Sequence, residues 1–247
     1  MKLEGSVAIV TGGASGLGLG TVVNFIEGGA KVVIWDLNQS MGDELTKKLK
    51  VSFIRVDVSD NSSVEQAFHQ TLELHGQVDI LVNCAGVYDF GPILSRSQQQ
   101  FEKAFNRVMN VNVIGTFNCC RTVAQHMAYK TTDGPRGVII NTASIAGHYG
   151  PRGISIYGAS KGAILGMNIA LARDLGAYKI RVCSISPGVF DTPMGAKMPQ
   201  TAKSKIAKTI LAGRLGKAEE YGHIARFLVE NEYMTGTDVL LDGGIRL

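Results

Sequence analysis

The sequence contains no run of apolar residues approaching the ~18 that a bilayer-spanning helix needs, so no membrane span is expected. It also has no block of consecutive Lys or Arg. Acidic and basic residues mix along the chain, and the formal net charge is only +4. Neither a nucleic-acid patch nor a membrane-surface patch is therefore expected. Cysteine is scarce: Cys84, Cys119, Cys120 and Cys183 form no CxxC pair, and no histidine cluster accompanies them at metal-ligand spacing. That pattern argues against a disulfide framework and against a metal site, and leaves reduced core thiols. Linkers, internal repeats and low-complexity stretches are absent as well. With no targeting segment visible ahead of the first strand at Val7, the expected location is the cytoplasm.

What remains is a regular alternation. A length of 247 residues suits one large α/β domain, here expected to span the whole of 1–247. Short, near-continuous apolar runs occur at Val7–Thr11, Lys31–Asp36, Ser52–Val56, Val78–Asn83, Gly137–Thr142, Ile180–Ile185 and Asp238–Leu241. Such runs read as strands covered on both faces. Helical periodicity separates them, as in Gly18–Glu27, Ser62–His75, Gln98–Ala128, Tyr157–Ala177 and Glu219–Val229. Alternating strand and helix implies right-handed parallel crossovers. The expected fold is a doubly wound α/β sheet of the Rossmann type, with seven mainly parallel strands and helices on both faces. The stretch from about 189 to 213 is long and strandless, so it is expected outside the carboxyl ends of the strands, as a substrate lid.

Directly after the first strand stand Thr11-Gly12-Gly13-Ala14-Ser15-Gly16-Leu17-Gly18. Glycines permit a tight turn and close backbone approach to a pyrophosphate, and the helix that follows offers free N–H groups and a favourable dipole. The plainer alternative is a structural turn. Asp36 closes the second strand, about 20 residues on, where a carboxylate is placed to accept hydrogen bonds from a ribose diol. It would repel a 2′-phosphate, and no Arg or Lys lies within Gly12–Gly18 or just after Asp36 to neutralise one. NAD is therefore expected over NADP, although Asp36 could simply cap the next turn. Asp57 and Val58 follow the third strand, near the expected adenine. Asn83, Ala85 and Gly86 end the fourth, where small residues allow close approach.

Tyr157 and Lys161 are four residues apart, on one face of a helix with adjacent side chains. An ammonium beside a phenol favours phenolate and would bring the tyrosine pKa down from ~10 toward neutrality. Such a group suits carbonyl–alcohol interconversion. Ser144, just past the fifth strand, could hydrogen-bond the substrate oxygen as charge develops on it. A Tyr/Lys pair alone is common on helix surfaces; its company gives it weight.

Taken together, Thr11-Gly12-xxx-Gly16-x-Gly18, Asn83-Cys84-Ala85-Gly86, Asn112, Ser144, Tyr157-xxx-Lys161 and Pro187-Gly188 with Thr192 resemble the short-chain dehydrogenase/reductase family over essentially the whole chain. The resemblance implies that Tyr157 is the acid/base and that Lys161 lowers its pKa and bonds the nicotinamide ribose. It implies that Ser144 anchors the substrate oxygen and that Asn112 holds a water linking the lysine to solvent. Pro187, Gly188, Val189 and Thr192 would form the nicotinamide carboxamide loop. Cys84 stands where many members carry a second Asn, at a structural position. Further segments, among them Thr11–Leu19, Asn112–Asn118, Gly137–Ser144, Arg173-Asp174-Leu175, Pro187–Phe190, Arg214–Gly216 with Glu220-Tyr221, and Leu241–Arg246, look like the family's NAD-linked 3-hydroxyacyl-CoA branch. That branch implies an acyl-CoA substrate. Other members would leave a steroid, another alcohol or ketone, or an acyl-carrier-protein thioester. A non-catalytic NAD-binding scaffold is disfavoured by the full set Asn112, Ser144, Tyr157 and Lys161. Members of the family usually form tetramers, here through Gln98–Ala128, Tyr157–Ala177 and Thr237–Leu247. In the lid, Thr201–Ala212 is expected as a mobile helix with Ile206, Ile210 and Leu211 on one face. Lys197, Lys203, Lys205 and Lys208 there could hold coenzyme A phosphates, or form an ordinary solvated face.

Overall fold

The computed structural model describes residues 1–130, 134–196 and 200–245. Its strands are β1 (Val7–Thr11), β2 (Lys31–Asp36), β3 (Ser52–Arg55), β4 (Ile80–Asn83), β5 (Gly137–Thr142), β6 (Ile180–Pro187) and β7 (Asp238–Leu241). They form one sheet in the order β3-β2-β1-β4-β5-β6-β7, with every neighbouring pair parallel. Parallel pairing sends all seven carboxyl ends to one edge, and the order reverses direction between β1 and β4, which is where this fold opens a crevice.

The helices are α1 (Gly16–Glu27), α2 (Gln39–Leu49), α3 (Asn61–His75), α4 (Gln98–Met109), α5 (Gly115–Ala128), α6 (Ile145–Tyr149), α7 (Ser155–Gly176), α8 (Pro193–Ala196), α9 (Gln200–Thr209) and α10 (Ala218–Glu230). Successive strand residues alternate between two apolar layers. On one face Ile9, Leu81, Ile139 and Val182 pack with Phe68, Val123 and Ile164 of α3, α5 and α7. On the other, Ala8, Val82, Ile140 and Cys183 pack with Phe25, Leu45 and Tyr221 of α1, α2 and α10.

Several boundaries differ from the sequence expectation. β4 starts at Ile80 because Asp79, just before it, is an anchor whose carboxylate accepts the Val7 N–H (2.8 Å) and pairs with Lys130. β3 ends at Arg55, and β6 runs on to Pro187 because β7 pairs with it as far as Leu241. The expected helix Gln98–Ala128 is broken by a π-helical turn, Asn110–Ile114. α2 fills the gap between β2 and β3, burying Gly42 and Leu45 with Met41 and Leu49 packed beside them.

The strandless stretch carries α8 and α9. Ile210 is buried with Ile145 and Ile245, and Ile206 packs against them, so one face of this segment is seated. Leu211 instead lies past the helix and is exposed. The lid lysines among the described residues divide between two faces. Lys197 lies outside the described residues. Lys203 shares the face of Ile206 and Ile210 and stands 3.6 Å from Asp191, whereas Lys205 and Lys208 point to solvent. Among the described residues, no helix is long and apolar enough to cross a membrane.

α1 and α10 cross at a seam that only glycine permits. A Cβ at Gly20 would collide with the Ala218 carbonyl, and one at Gly222 with the Gly20 carbonyl. Because α1 opens at the glycine-rich loop, this seam fixes the loop's position. Gly20→Ala should push the helices apart and cost about 1–3 kcal/mol, the usual penalty of overpacking. Urea unfolding should show a lower midpoint, and an unchanged midpoint would contradict the seam.

Candidate active site

The first wall of the cleft is the turn between β1 and α1. Gly12 and Gly16 have φ of 63° and 52°, in the left-handed region. A Cβ at Gly12 would lie 2.8 Å from the Ala85 nitrogen, and one at Gly18 would strike the Gly12 carbonyl. Thr11 Oγ1 accepts the Ala85 N–H (3.1 Å), tying this turn to the end of β4. Ser15 is the N-cap of α1 but makes no side-chain capping bond, and the first turn, with Leu17, carries no acidic residue. Uncapped N–H groups without a nearby carboxylate suit a pyrophosphate, so this cradle fits a dinucleotide.

Asp36 ends β2 with its carboxylate turned toward that cradle. Oδ2 accepts the Ala14 N–H (3.1 Å) and Oδ1 the Asn38 N–H (3.0 Å). It both caps the turn and stands at the loop; two acceptances leave lone pairs for a diol. Asp57 is engaged locally, with Oδ1 accepting the Ser59 N–H (2.9 Å) and hydroxyl (2.6 Å). The Val58 carbonyl accepts from Asn118 Nδ2 (3.0 Å), and its buried side chain packs on Gly115. Asn83 turns its amide into the sheet, donating to Asn141 Oδ1 (2.9 Å). Gly86 faces the catalytic candidates: a Cβ there would lie 3.3 Å from Asn112 Oδ1 and 3.8 Å from Lys161 Nζ.

On the far side, Pro187 ends β6, and the Gly188 N–H bonds the Leu241 carbonyl (2.9 Å). The Val189 carbonyl accepts the Gly216 N–H (3.0 Å). Thr192 comes back across the cleft, its Cβ 3.4 Å from where a Gly16 side chain would start. The two loops expected around a dinucleotide thus meet.

Between them converge Ser144, Tyr157, Lys161 and Asn112. Ser144 is buried and caps α6, its hydroxyl accepting the Ala146 N–H (3.1 Å). It lies near enough to the Tyr157 phenol to lower that group's pKa. Lys161 is 5% exposed, its Nζ 5.8 Å from the Tyr157 ring centroid, and it donates to the Thr142 carbonyl at 2.7 Å. Asn112 sits in the π-turn. Its Oδ1 accepts the Val87 N–H (2.8 Å), and its Nδ2 donates to the Val87 carbonyl (3.0 Å) and to Ser160 Oγ (3.0 Å). Its side chain therefore clamps the loop after β4 to α7.

The electrostatics depart from the expectation of a near-neutral tyrosine. Burial pushes the Tyr157 phenol up to about 12, against the lowering effect of the Ser144 hydrogen bond and with a further rise from Tyr88. Burial brings Lys161 down to about 8. The Lys161 ammonium is directed at the Thr142 carbonyl rather than at the phenol oxygen, so desolvation dominates. The same physics acts on the thiols: burial raises Cys120 to about 12 and Cys183 to about 11, which disfavours thiolate. Among the described residues, no group of three or more His, Cys, Asp and Glu side chains is placed to hold a metal.

Three participants escaped the sequence reading. Thr142 supplies the carbonyl for Lys161, while its hydroxyl donates to the Asn83 carbonyl (2.6 Å) and shares a hydrogen bond with Tyr221 Oη (2.7 Å). Ser160 donates to the Tyr157 carbonyl (2.7 Å) and receives Asn112. Tyr88 sets its ring edge-on to Tyr157, with centroids 5.1 Å apart. None of the three has a local motif.

Residues 6–203 match the family model described as short chain dehydrogenase. The chain is 42% identical over 253 residues to 3-hydroxyacyl-CoA dehydrogenase type-2 of Bos taurus, covering 100% of this chain and 97% of the relative. It is 33% identical over 252 residues to a 3-oxoacyl-acyl-carrier-protein reductase of Thermotoga maritima, covering 99% of both. Among solved structures, the 3-hydroxyacyl-CoA dehydrogenase type-2 of Mycobacterium avium superposes with a TM-score of 0.90 at 34% identity, covering 98% of this chain and 96% of that one.

The Lys161 value has a consequence for stability. Unfolded lysine titrates near 10.5 and folded Lys161 near 8. Below about 8 both states are charged, and folding bears the cost of burying the ammonium; that cost fades as pH rises from 8 to 10.5. Lys161→Met should therefore stabilise the chain at pH 7, by up to about 3 kcal/mol, and the gain should shrink by pH 10. Urea midpoints at the two pH values test this, and a gain that grows with pH would refute it.

Proposed function

The chain belongs to the short-chain dehydrogenase family, and we propose that it uses NAD to interconvert a 3-hydroxyacyl-CoA and the corresponding 3-oxoacyl-CoA. Family membership makes it an oxidoreductase acting on CH–OH groups. The observation that carries the finer reading is the convergence of Ser144, Tyr157, Lys161 and Asn112 beside a glycine cradle with Asp36 at its end. NAD, when bound, supplies the hydride acceptor; Gly12, Ser15, Gly16, Leu17 and Gly18 would hold its pyrophosphate and Asp36 its adenosine ribose. Asp57, Val58, Asn83, Ala85 and Gly86 would line its path, and Pro187, Gly188, Val189 and Thr192 its carboxamide end.

Tyr157 is the acid/base. A phenol held near 12 keeps its proton at neutral pH and can give it to a carbonyl oxygen. In the oxidative direction it must take the proton, which the Lys161 ammonium and the Ser144 hydroxyl both favour by stabilising phenolate. Ser144 also offers its hydroxyl to the substrate oxygen. Asn112 keeps the loop at Val87 in place and leaves the rim of Gly86 open to Lys161.

Asp36, with no cation among Gly12–Gly18 to offset it, supports NAD over NADP and over a reductive acyl-carrier-protein enzyme. The named relatives support the acyl-CoA. The lid of about 189–213 would cover it, with exposed Lys205 and Lys208 the available cations for its phosphates; Lys203 is turned to Asp191. A homotetramer would cover the exposed Phe105, Phe117 and Ile169 of α4, α5 and α7. A reducing compartment such as the cytoplasm suits the free thiols.

The test is a panel of 3-hydroxyacyl-CoA, steroid and simple alcohol substrates assayed with NAD and NADP. The acyl-CoA with NAD should give the highest kcat/KM; a steroid or NADP in first place would overturn the assignment. Tyr157→Phe should lower kcat at least ~100-fold, as loss of an essential acid/base does, while NAD affinity is retained. Asp36→Ala should weaken NAD use by roughly 1.5–3 kcal/mol, the value of charge-assisted hydrogen bonds, and relax discrimination against NADP. Equal use of the two cofactors by the unmodified protein would remove the role given to Asp36.

A further inference from the structure

α6 is a helix of only five residues, far below the ~12–15 at which a helix stands alone in water. Its orientation is therefore set by what it packs on. Toward α7 the approach is very close: a Cβ at Gly147 would lie 2.8 Å from the Lys161 carbonyl carbon, and one at Gly158 would lie 3.1 Å from the Ala146 carbonyl oxygen. Toward the lid, Ile145 is buried with Ile210 and Ile245, and Tyr149 packs beside them. Toward the sheet, the contact is polar and runs through His148. Its Nε2 stands 2.9 Å from Asp238 Oδ2 on β7 and 3.1 Å from Ser186 Oγ on β6.

The direction of each hydrogen bond in this cluster follows from its donors. The Ser184 hydroxyl donates to Asp238 Oδ1 (2.6 Å), and the Ser186 hydroxyl donates to Asp238 Oδ2 (2.8 Å). An ionised carboxylate only accepts, and each hydroxyl has a single hydrogen to give. His148 Nε2 must therefore carry a hydrogen, shared between the carboxylate and the Ser186 oxygen. Ser184 and Ser186 alternate with Cys183 and Ile185, so they extend the layer that Ile180 and Val182 line earlier in β6. That layer turns polar at the level of α6, where both serines are wholly buried. Apolar side chains fill the same layer two residues earlier, so packing alone gives no reason for the change.

We propose that His148 is a positioning residue for the reaction: by donating to Asp238 and Ser186 it fixes the orientation of α6 and so aims the Ser144 hydroxyl. The link is direct. The Ser144 hydroxyl accepts the Ala146 N–H of α6 (3.1 Å), so its direction follows that of the helix, and His148 pins the helix from the opposite end. The seam with α7 makes the same orientation decide how Ser144 faces Tyr157 and Lys161. The inference rests on Ser144 as the substrate-oxygen anchor but not on coenzyme A as the handle. The His148 and Asp238 side chains are 30% and 18% exposed, and a pair so open to water adds little to stability. Loss of His148 should therefore appear in the rate and not in unfolding.

The test reads kcat with 3-hydroxybutanoyl-CoA and NAD and, independently of coenzyme A, with ethyl 3-oxobutanoate and NADH, each normalised to the fraction of protein that binds NADH. His148→Ala and His148→Phe should lower kcat by about 10–100-fold, the scale of a small misplacement at the reacting centre, with NADH affinity and urea midpoint retained. His148→Gln, whose amide nitrogen reaches about as far as Nε2, should restore most of the rate. In a Ser144→Ala background His148→Ala should cost nothing further, because the hydroxyl it aims is gone. Equal losses from His148→Ala with and without Ser144 would overturn the proposal. So would a loss that tracks a lowered urea midpoint, which marks a merely structural residue. A normal rate in His148→Ala beside an impaired Ser144→Ala sinks this inference alone, whereas a normal rate in Ser144→Ala removes the role given to Ser144 and this inference with it.

Discussion

The amide of Asn112 has one carbonyl oxygen and two N–H hydrogens, and each is engaged with another element. The oxygen and one hydrogen hold both main-chain polar groups of Val87, and Nδ2 also reaches Ser160 on the helix of Tyr157. The loop after β4, the π-turn and α7 therefore meet at one buried side chain, 1% exposed. A regular α-helix through residues 98–128 would carry side chains around its axis in even 100° steps. The extra residue in the π-turn breaks that phase and lets Asn112 face inward while the helices on either side keep their own apolar faces on the sheet. Shifts of this kind gather at functional positions because they trade helical regularity for the direction of one group. The opening at Gly86, the direction of Tyr88 and the placing of Tyr157 all follow from this amide.

The second constraint is dielectric. Tyr157 and Lys161 sit where water is scarce, so the neutral form of each is favoured: the phenol rises and the ammonium falls. The two shifts have one origin and move the pair toward a shared neutral state. Small electrostatic changes at the cleft then act on groups whose preferences have been brought closer together. The Thr142 carbonyl is what keeps a charge tolerable on Lys161 at all, since a buried cation needs an acceptor.

The fold was legible because its signals are local. Runs such as Val7–Thr11 and Gly137–Thr142 match their strands residue for residue, since burial on both faces leaves little choice of composition. The glycine turn was legible for the same reason: a left-handed φ at Gly12 and Gly16 is a property of the turn itself. The site was legible only in part. Tyr157 and Lys161 share a helix, so spacing brings them together. Thr142, Ser160, Tyr88 and Tyr221 join them through contacts between distant segments, which no periodicity records. The tyrosine's acidity departs from the expectation because spacing records a neighbouring lysine but neither the burial that raises the phenol nor the direction of the ammonium toward Thr142. How the lid lysines divide was not legible, because the phase of α9, which separates Lys203 from Lys205 and Lys208, depends on where Ile206 and Ile210 seat.

The order of the sheet also governs when the molecule becomes competent. β1 lies in the interior between β2 and β4, so a chain emerging from the ribosome builds outward from its earliest strand in both directions. β7 is the last strand to arrive. Its Asp238 accepts the hydroxyls of Ser184 (2.6 Å) and Ser186 (2.8 Å) and reaches His148 (2.9 Å) on α6, the short helix capped by Ser144. Until β7 docks, α6 has only the Ser186 hydroxyl of β6 (3.1 Å) as its His148 partner, and α1, which opens at the glycine turn, has no seat until α10 packs on it at Gly20 and Gly222. Both walls of the cleft thus wait for the segment from α10 to β7, and they become complete together rather than in turn.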